Sequence, residues 1–451
     1  MSETSLDKGE VTTTGLAAEA YIWALSPVLI KRYYEIARSV GAPLNRLTVE
    51  AQLTDKPVQT NPDPSELQRH GGGNVDTLYG YAWIDLKQEP VVLQVPDANG
   101  RYYSFQLHDA YQNTFGYVSR RATGEIRGSY AFTGPDWKGR LPDGVKEIKC
   151  PTSLILAYAR TLIQSPDDFS AAWAFQGEYL MGPLSAYPGG LTPPIQEENA
   201  LRVFPHLDFS NADATFFDEF CEILATYPPA PEDTEELRRF ESIGIRPGVT
   251  PSRDPRFDTI LASGIAEGRK RLKDYGFALQ TVPAVNGWHC RRNIVARIPD
   301  PMVRASLNRL GVGNLTVQEA IYGIASTGPD GARLNGRKTY RLRFPAGQFP
   351  PANGFWSMTM YADSDTEDGG FTVVENPINR TSIGDRTVGL VYGADGSLEI
   401  QIQRDVPSEG AANWLPAPLG NFRLVLRTYE PSQAFIEGAY NLPPLTLVVA
   451  N

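Results

Sequence analysis

The segment His70–Leu86, HGGGNVDTLYGYAWIDL, decides the fold. A glycine-rich turn and an Asn-Val-Asp-Thr step lead into a run whose side chains divide with a period of two, the repeat of a β-strand. Asp76, Leu78, Gly80, Ala82, Ile84 and Leu86 fall on one side, and Thr77, Tyr79, Tyr81, Trp83 and Asp85 on the other. A small, smooth face opposite an aromatic, hydroxyl-rich one predicts a strand that packs on a sheet through the first and lines something through the second. The three glycines read as the turn that launches the strand, with Asp76 bracing it.

Beyond this strand, similar signals recur about every ten residues as far as Thr161: PVVLQV, RYYSFQLHDAY, NTFGYVSR, SYAFTG and SLILAYAR, separated by PDANG, ATGEIRG and PDGVK turns. That spacing predicts an antiparallel sandwich over residues 70–164. Upstream, residues 1–12 read as a disordered tail and 13–69 as a helix plus a proline-bearing linker. The helix spans Thr13 to about Val40, with Pro27 expected to bend or split it. Downstream, residues 165–335 read as mainly helical. Ser165-Pro166 is a start signal, and further helices are expected at 213–226, 232–242, 254–273, 300–310 and 317–325. From 336 to 451 strand patterns return in YRLRF, FWSMTMY, FTVVEN, TVGLVY, LEIQIQ and FRLVLRTY, the signature of a jelly roll or related sandwich. The fold class is therefore mainly β with a helical insert, α+β.

Composition narrows function. With 41 glycines and 36 prolines, these residues make up about 17% of the chain against a usual sum of about 12%, which favours many short strands. The net charge is −10 and no basic run occurs, so nucleic acid and anionic membrane surfaces are not expected partners. Cys150, Cys221 and Cys290 are odd in number and widely spaced, which fits free thiols in a reducing compartment. The polar, acidic start lacks the basic and apolar regions of a signal peptide, and a cytoplasmic setting is expected.

Several longer stretches are similar to a known family. NVDTLYGYAWIDL, PVVLQVPDANGRYYSFQLHDAYQNTF and GPDWKGRLPDGVKEIKCPT resemble its N-terminal half. YRLRFPAGQFPPANGFWSMTMY, ENPINRTSIGDRT and ANWLPAPLGNFRLVLRTYEP resemble its C-terminal half. The family is a widespread microbial one that pairs two domains of unknown function, numbers twelve fifty-four and twelve fourteen. The resemblance runs from about Gly15 onward. It implies an immunoglobulin-like sandwich, a helical insert and a C-terminal jelly roll, and it implies no activity. Many relatives carry a secretion signal, which is not expected here.

Candidate chemistry is sparse. His70–Gly73 has the look of an esterase oxyanion loop, but no GxSxG elbow accompanies it. No HExxH, GxGxxG or Walker pattern occurs, and the four histidines lack metal-ligand spacing, so no metal and no cofactor is expected. In RYYSFQLHDAYQN, Tyr102, Ser104, Gln106 and His108 share one strand face, either solvated or lining a pocket. His108 is the chain's best general acid or base, with Asp109 or Asp76 to orient it. A histidine at a strand end more commonly just hydrogen-bonds a loop. In Glu375–Arg386, Asn379 and Arg380 sit in a turn-rich loop that reads first as structural. Arg380 is the candidate for holding an anionic group, and Trp414 for a core plug or an apolar platform.

The leading expectation is binding of a small apolar or aromatic metabolite between two β domains, with cofactor-free isomerase, cyclase or lyase chemistry through His108, Asp109 and Asp76. Tyr79, Trp83, Gln106, Asn379, Arg380 and Trp414 would bind the ligand. A non-catalytic structural or interaction protein is the alternative, with metal-dependent hydrolysis behind it, and assembly into a homo-oligomer is left open.

Overall fold

The computed structural model describes residues 12–51, 74–198, 200–205, 207, 209–275, 282–309, 312–363 and 371–448. The expected tail up to residue 11, the His70–Gly73 turn and most of the proline-bearing linker lie outside the described residues.

The N-terminal helix, Thr13–Ser39, starts where the Thr12 hydroxyl accepts a hydrogen bond from the Gly15 amide, a side-chain N-cap. It runs as one helix through Pro27, so the expected bend or split does not take the form of a split. The helices Thr215–Thr226, Asp258–Tyr275 and Pro301–Asn308 surround it, and Asn308 Nδ2 donates to Ser26 Oγ beside the proline at 3.0 Å. By length and composition this helix could cross a membrane, yet most of its apolar window is buried inside the molecule. Small residues set the packing distance. A Cβ on Gly264 would meet the Ala17 backbone at 2.8 Å, so Gly264→Ala should cost about 1–3 kcal/mol of stability by chemical denaturation. Without that clash the same change in a helix would gain about 1 kcal/mol.

The first sandwich has a six-stranded sheet ordered Ile195–Glu197, Thr48–Glu50, Thr77–Asp85, Leu154–Leu162, Tyr103–His108, Thr114–Ser119. Its partner sheet holds Val145–Lys149, Gly128–Thr133, Val91–Val95 and Leu180–Pro183. The smooth face of the deciding strand behaves as expected: Ala82, Ile84 and Leu86 enter the sandwich core with Val91, Leu93, Phe105 and Phe132.

The second sandwich pairs a sheet ordered His289–Cys290, Ala320–Ala325, Phe422–Tyr429, Trp356–Asp363, Phe371–Val373 with one ordered Trp414–Pro416, Leu398–Gln403, Thr339–Phe344, Leu445–Val448. The core between them includes Leu342, Trp356, Met358, Ile400 and Leu424. Two expectations fail here. The helix predicted over 317–325 is instead the strand Ala320–Ala325, paired along its length with Phe422–Tyr429. Its alternating Ile321 and Ile324 are shared between two layers, so tertiary pairing overrides the helical spacing. TVGLVY forms no strand, and Val388, Val391 and Tyr392 lie in exposed backbone.

Candidate functional site

The tyrosine-bearing face of the first sandwich's large sheet points away from its core, and register aligns its side chains in rows. Tyr79 lies opposite Arg160, and Arg160 opposite Ser104. Thr48 opposite Tyr81 and Val49 opposite Gly80 bring Glu50 to Tyr79 one step further along. The result is a polar row, Glu50–Tyr79–Arg160–Ser104, whose neighbours lie about 5 Å apart across the strands. The next row carries Tyr81, Tyr158, Gln106 and Tyr117.

The outward face of the second sandwich's large sheet answers it. Tyr322 pairs with Arg427 and Arg427 with Ser357, while Tyr361 and Tyr429 occupy the same face. Side chains tie the two faces into a seam. Asp76 accepts from Ser357 and from Arg386, and Asn74 donates to the Tyr429 hydroxyl. Glu319 accepts from Tyr102 at 3.0 Å and from Arg121 at 2.7 Å. Arg120 holds Glu430 at 2.6 Å. Tyr429 stacks on Phe355 with ring centroids 4.1 Å apart.

Arg160 stands at the centre and is buried, at 4% exposure. Its guanidinium lies over the rings of Tyr158 at 5.1 Å and Tyr79 at 5.4 Å. It donates to the Gly313 carbonyl and, at 3.3 Å, to Gln106 Oε1. Among the described residues no carboxylate lies within ion-pair distance of it. A guanidinium keeps its charge at any working pH, so a buried one without a carboxylate is costly to hold for stability alone. Arg427 donates to Thr359 Oγ1 at 3.1 Å and to the Tyr361 hydroxyl at 3.0 Å from the facing sheet. Burial raises the phenols of Tyr158, Tyr322, Tyr361 and Tyr429, which stay protonated as donors near neutral pH. Tyr79 and Tyr322, although between the two sandwiches, are only partly buried.

The residues singled out from sequence do not gather in one place. Tyr79 and Gln106 reach the seam, and Gln106 clamps the next segment by donating to Thr114 Oγ1 at 2.9 Å and the Asn314 carbonyl at 2.7 Å. Asp76 is a seam residue through Arg386, not a partner of His108. Trp83 faces the N-terminal helix, packed between Tyr34 and Phe204 with ring centroids at 5.5 and 6.2 Å. Asn379 occupies a left-handed turn position at φ 50°. Arg380 spends its fork on the carbonyls of Ala411, Ala412 and Trp414. Trp414, 2% exposed, donates from its indole to the Gln403 carbonyl at 2.8 Å. These last three brace a loop at the edge of the second sandwich.

His108 and Asp109 also part company. Asp109 closes its own turn, accepting from the Tyr111 and Asn113 amides at 2.9 Å each and from Asn113 Nδ2 at 3.0 Å. Among the described residues neither ring nitrogen of His108 has a side-chain hydrogen-bond partner, and the Gln112 backbone alone pulls its pKa upward. The ring borders a crevice of about 20 Å³, room for one water, with Arg304, Asn308 and Asn314. Burial, seconded by the charge of Arg160, lowers its pKa to about 3. Because the folded value lies below the usual 6.5, the neutral ring's contribution to stability is intact above pH 6.5 and is lost as pH falls toward 3. Imidazole NMR should show no titration of this ring between pH 8 and 5; a midpoint near 6.5 would contradict the burial. A second, roughly 90 Å³ cleft lies elsewhere, between the helices, lined by Pro27, Ile30, Lys31, Tyr34, Glu222 and Tyr227. Among the described residues no three His, Cys, Asp or Glu side chains come together as a metal site would require.

Arg160, Arg427, Tyr322 and Glu50 were missed from sequence. Arg160 had a signal: it interrupts the apolar row Leu154, Leu156, Tyr158, Leu162 of one strand face.

Two β-sandwiches, a helical layer and a phenol-rich seam between the large sheets define the class of protein. The chain belongs to the family that joins two domains described as proteins of unknown function, DUF1254 over residues 56–183 and DUF1214 over 319–433. The crystal structure of the VPA0106 protein from Vibrio parahaemolyticus is similar along 97% of this chain and 100% of that one, at 25% identity and a TM-score of 0.71. An uncharacterised protein from Burkholderia cenocepacia aligns over 95% of this chain and 87% of that one, at 12% identity and a TM-score of 0.43. No curated protein matches the sequence.

Proposed function

We propose that this protein binds a small aromatic metabolite bearing an anionic group in the seam between its two β-sandwiches. The observation that carries the reading is Arg160, a buried guanidinium that stacks on Tyr79 and Tyr158 and lacks a carboxylate partner among the described residues. A carboxylate on the ligand would supply that counter-charge, and Tyr79 and Tyr322 would flank the ring. Any acid/base chemistry would use the seam, since His108 is neutral across the physiological range and lies in a crevice of its own. Three free cysteines support a reducing, cytoplasmic setting. An assembly role has less support, because the two large sheets use their outward faces on each other within one chain. The test is isothermal titration calorimetry with 4-methoxybenzoate and, as a charge-reversed control, 4-methoxybenzylamine. The acid should bind and the amine should not; equal binding of both, or of neither, rejects the reading.

A further inference from the structure

The row that places Tyr79 beside Arg160 ends in a carboxyl group at Glu50. Its exposure is 3%, its Oε2 has no hydrogen-bond partner, and no cation pairs with it among the described residues. A buried, half-satisfied carboxyl group is expensive unless it is neutral or has a partner that comes and goes. Its surroundings favour the neutral form. Register puts Glu197 beside it on one side, already paired with Arg202, and Tyr79 on the other. The Leu201 backbone closes over it, and Tyr158, within electrostatic reach, adds a phenol. Arg160 lies two strands away, about 10 Å along the row, with Tyr79 between the two polar ends.

We propose that Glu50 acts in the seam as a neutral carboxylic acid that donates a hydrogen bond to the far side of the ligand, so that the preferred ligand is an aromatic carboxylate with an uncharged oxygen acceptor across the ring. The inference rests on the seam being the binding site. Arg160 takes the carboxylate, the phenols hold the ring, and Glu50 selects the acceptor. Burial raises the Glu50 carboxyl to about 8, against pulls from the Leu201 and Tyr79 backbones, so the donor proton is present at pH 6 and gone by pH 9. Selectivity for the acceptor is therefore full below the folded value and lost as pH rises through it.

The experiment titrates benzoate and 4-methoxybenzoate, whose ether oxygen accepts without titrating, into wild type, Glu50→Gln and Arg160→Met between pH 6 and pH 9. Wild type should favour 4-methoxybenzoate by about tenfold at pH 6, one hydrogen bond's worth, and lose that preference by pH 9. Glu50→Gln keeps a donor that cannot titrate and should hold the preference throughout. If wild type and Glu50→Gln share one pH profile while Arg160→Met abolishes binding, the role of Glu50 is wrong and the seam reading stands. Wild type and Arg160→Met binding alike, or wild type binding neither acid, overturns both. Should Glu50→Gln fail to fold, the wild-type preference and its loss by pH 9 decide the matter, and a preference unchanged at pH 9 rejects the proposal.

Discussion

Replacing Asp76 by alanine should lower the free energy of unfolding by about 3 kcal/mol, measured by urea denaturation at neutral pH. Asp76 is 4% exposed and is the point where the first sandwich grips the second. Its carboxylate receives Arg386 and the Ser357 hydroxyl, and its own amide is tied to Asn74 Oδ1 at 2.8 Å. Arg386 also lies over the Phe355 ring at 4.4 Å and donates to the Ile163 carbonyl at 2.7 Å, so it cannot swing freely into water when its partner is removed. Truncating one member of a buried pair leaves the other charged and uncompensated, a cost of about 3–5 kcal/mol. Arg386 is 23% exposed at its side chain, and water reaching it brings the expectation to the lower end of that range. Ser357→Ala, which removes a single hydroxyl, should cost only about 1 kcal/mol. A loss below 1 kcal/mol for Asp76→Ala would mean that the sandwiches are held together elsewhere.

Arg160→Met should do the opposite to stability and more to binding. Methionine fills much of the arginine volume and removes a buried charge that has no carboxylate within reach. Such replacements are often neutral or stabilising. The protein should therefore unfold at the same or a higher denaturant concentration. Its affinity for 4-methoxybenzoate should meanwhile fall by about a hundredfold, on the order of 3 kcal/mol. That opposition marks a residue kept for function at the expense of stability. If Arg160→Met destabilises as strongly as Asp76→Ala and leaves affinity unchanged, the guanidinium serves the Gly313 carbonyl and Gln106 alone.

Period-two patterning carried the fold. The alternation in TLYGYAWID was enough to separate a core face from a lining face, because a strand has only two sides and one of them was too small and smooth to be anything but a packing surface. The same logic failed at Ala320–Ala325, where a short apolar segment matches helix and strand alike and only its pairing with Phe422–Tyr429 decides. The site was less legible. His108 drew attention by its chemistry, yet burial that no sequence reveals makes it neutral and leaves it apart from Asp109. Arg380 and Trp414 stand close in space, but their polar groups are spent on backbone carbonyls, Arg380 on that of Trp414 and the indole on that of Gln403. Glu50 sat in what reads as a proline-bearing linker, and its place beside Tyr79 follows from a strand of three residues too short to announce itself. Arg160 and Arg427, both within electrostatic reach of Tyr322, come from chain positions far apart. Their proximity depends on how two sandwiches dock, which strand patterns within each domain do not encode.

The most direct test of the seam as a binding site is a crystal structure of the wild-type protein soaked with 4-methoxybenzoate. The expected result is a planar ligand between the large sheets, with its carboxylate on the Arg160 guanidinium and its ring beside Tyr79 and Tyr322. A ligand bound elsewhere, with Arg160 still donating only to Gly313 and Gln106, would contradict it.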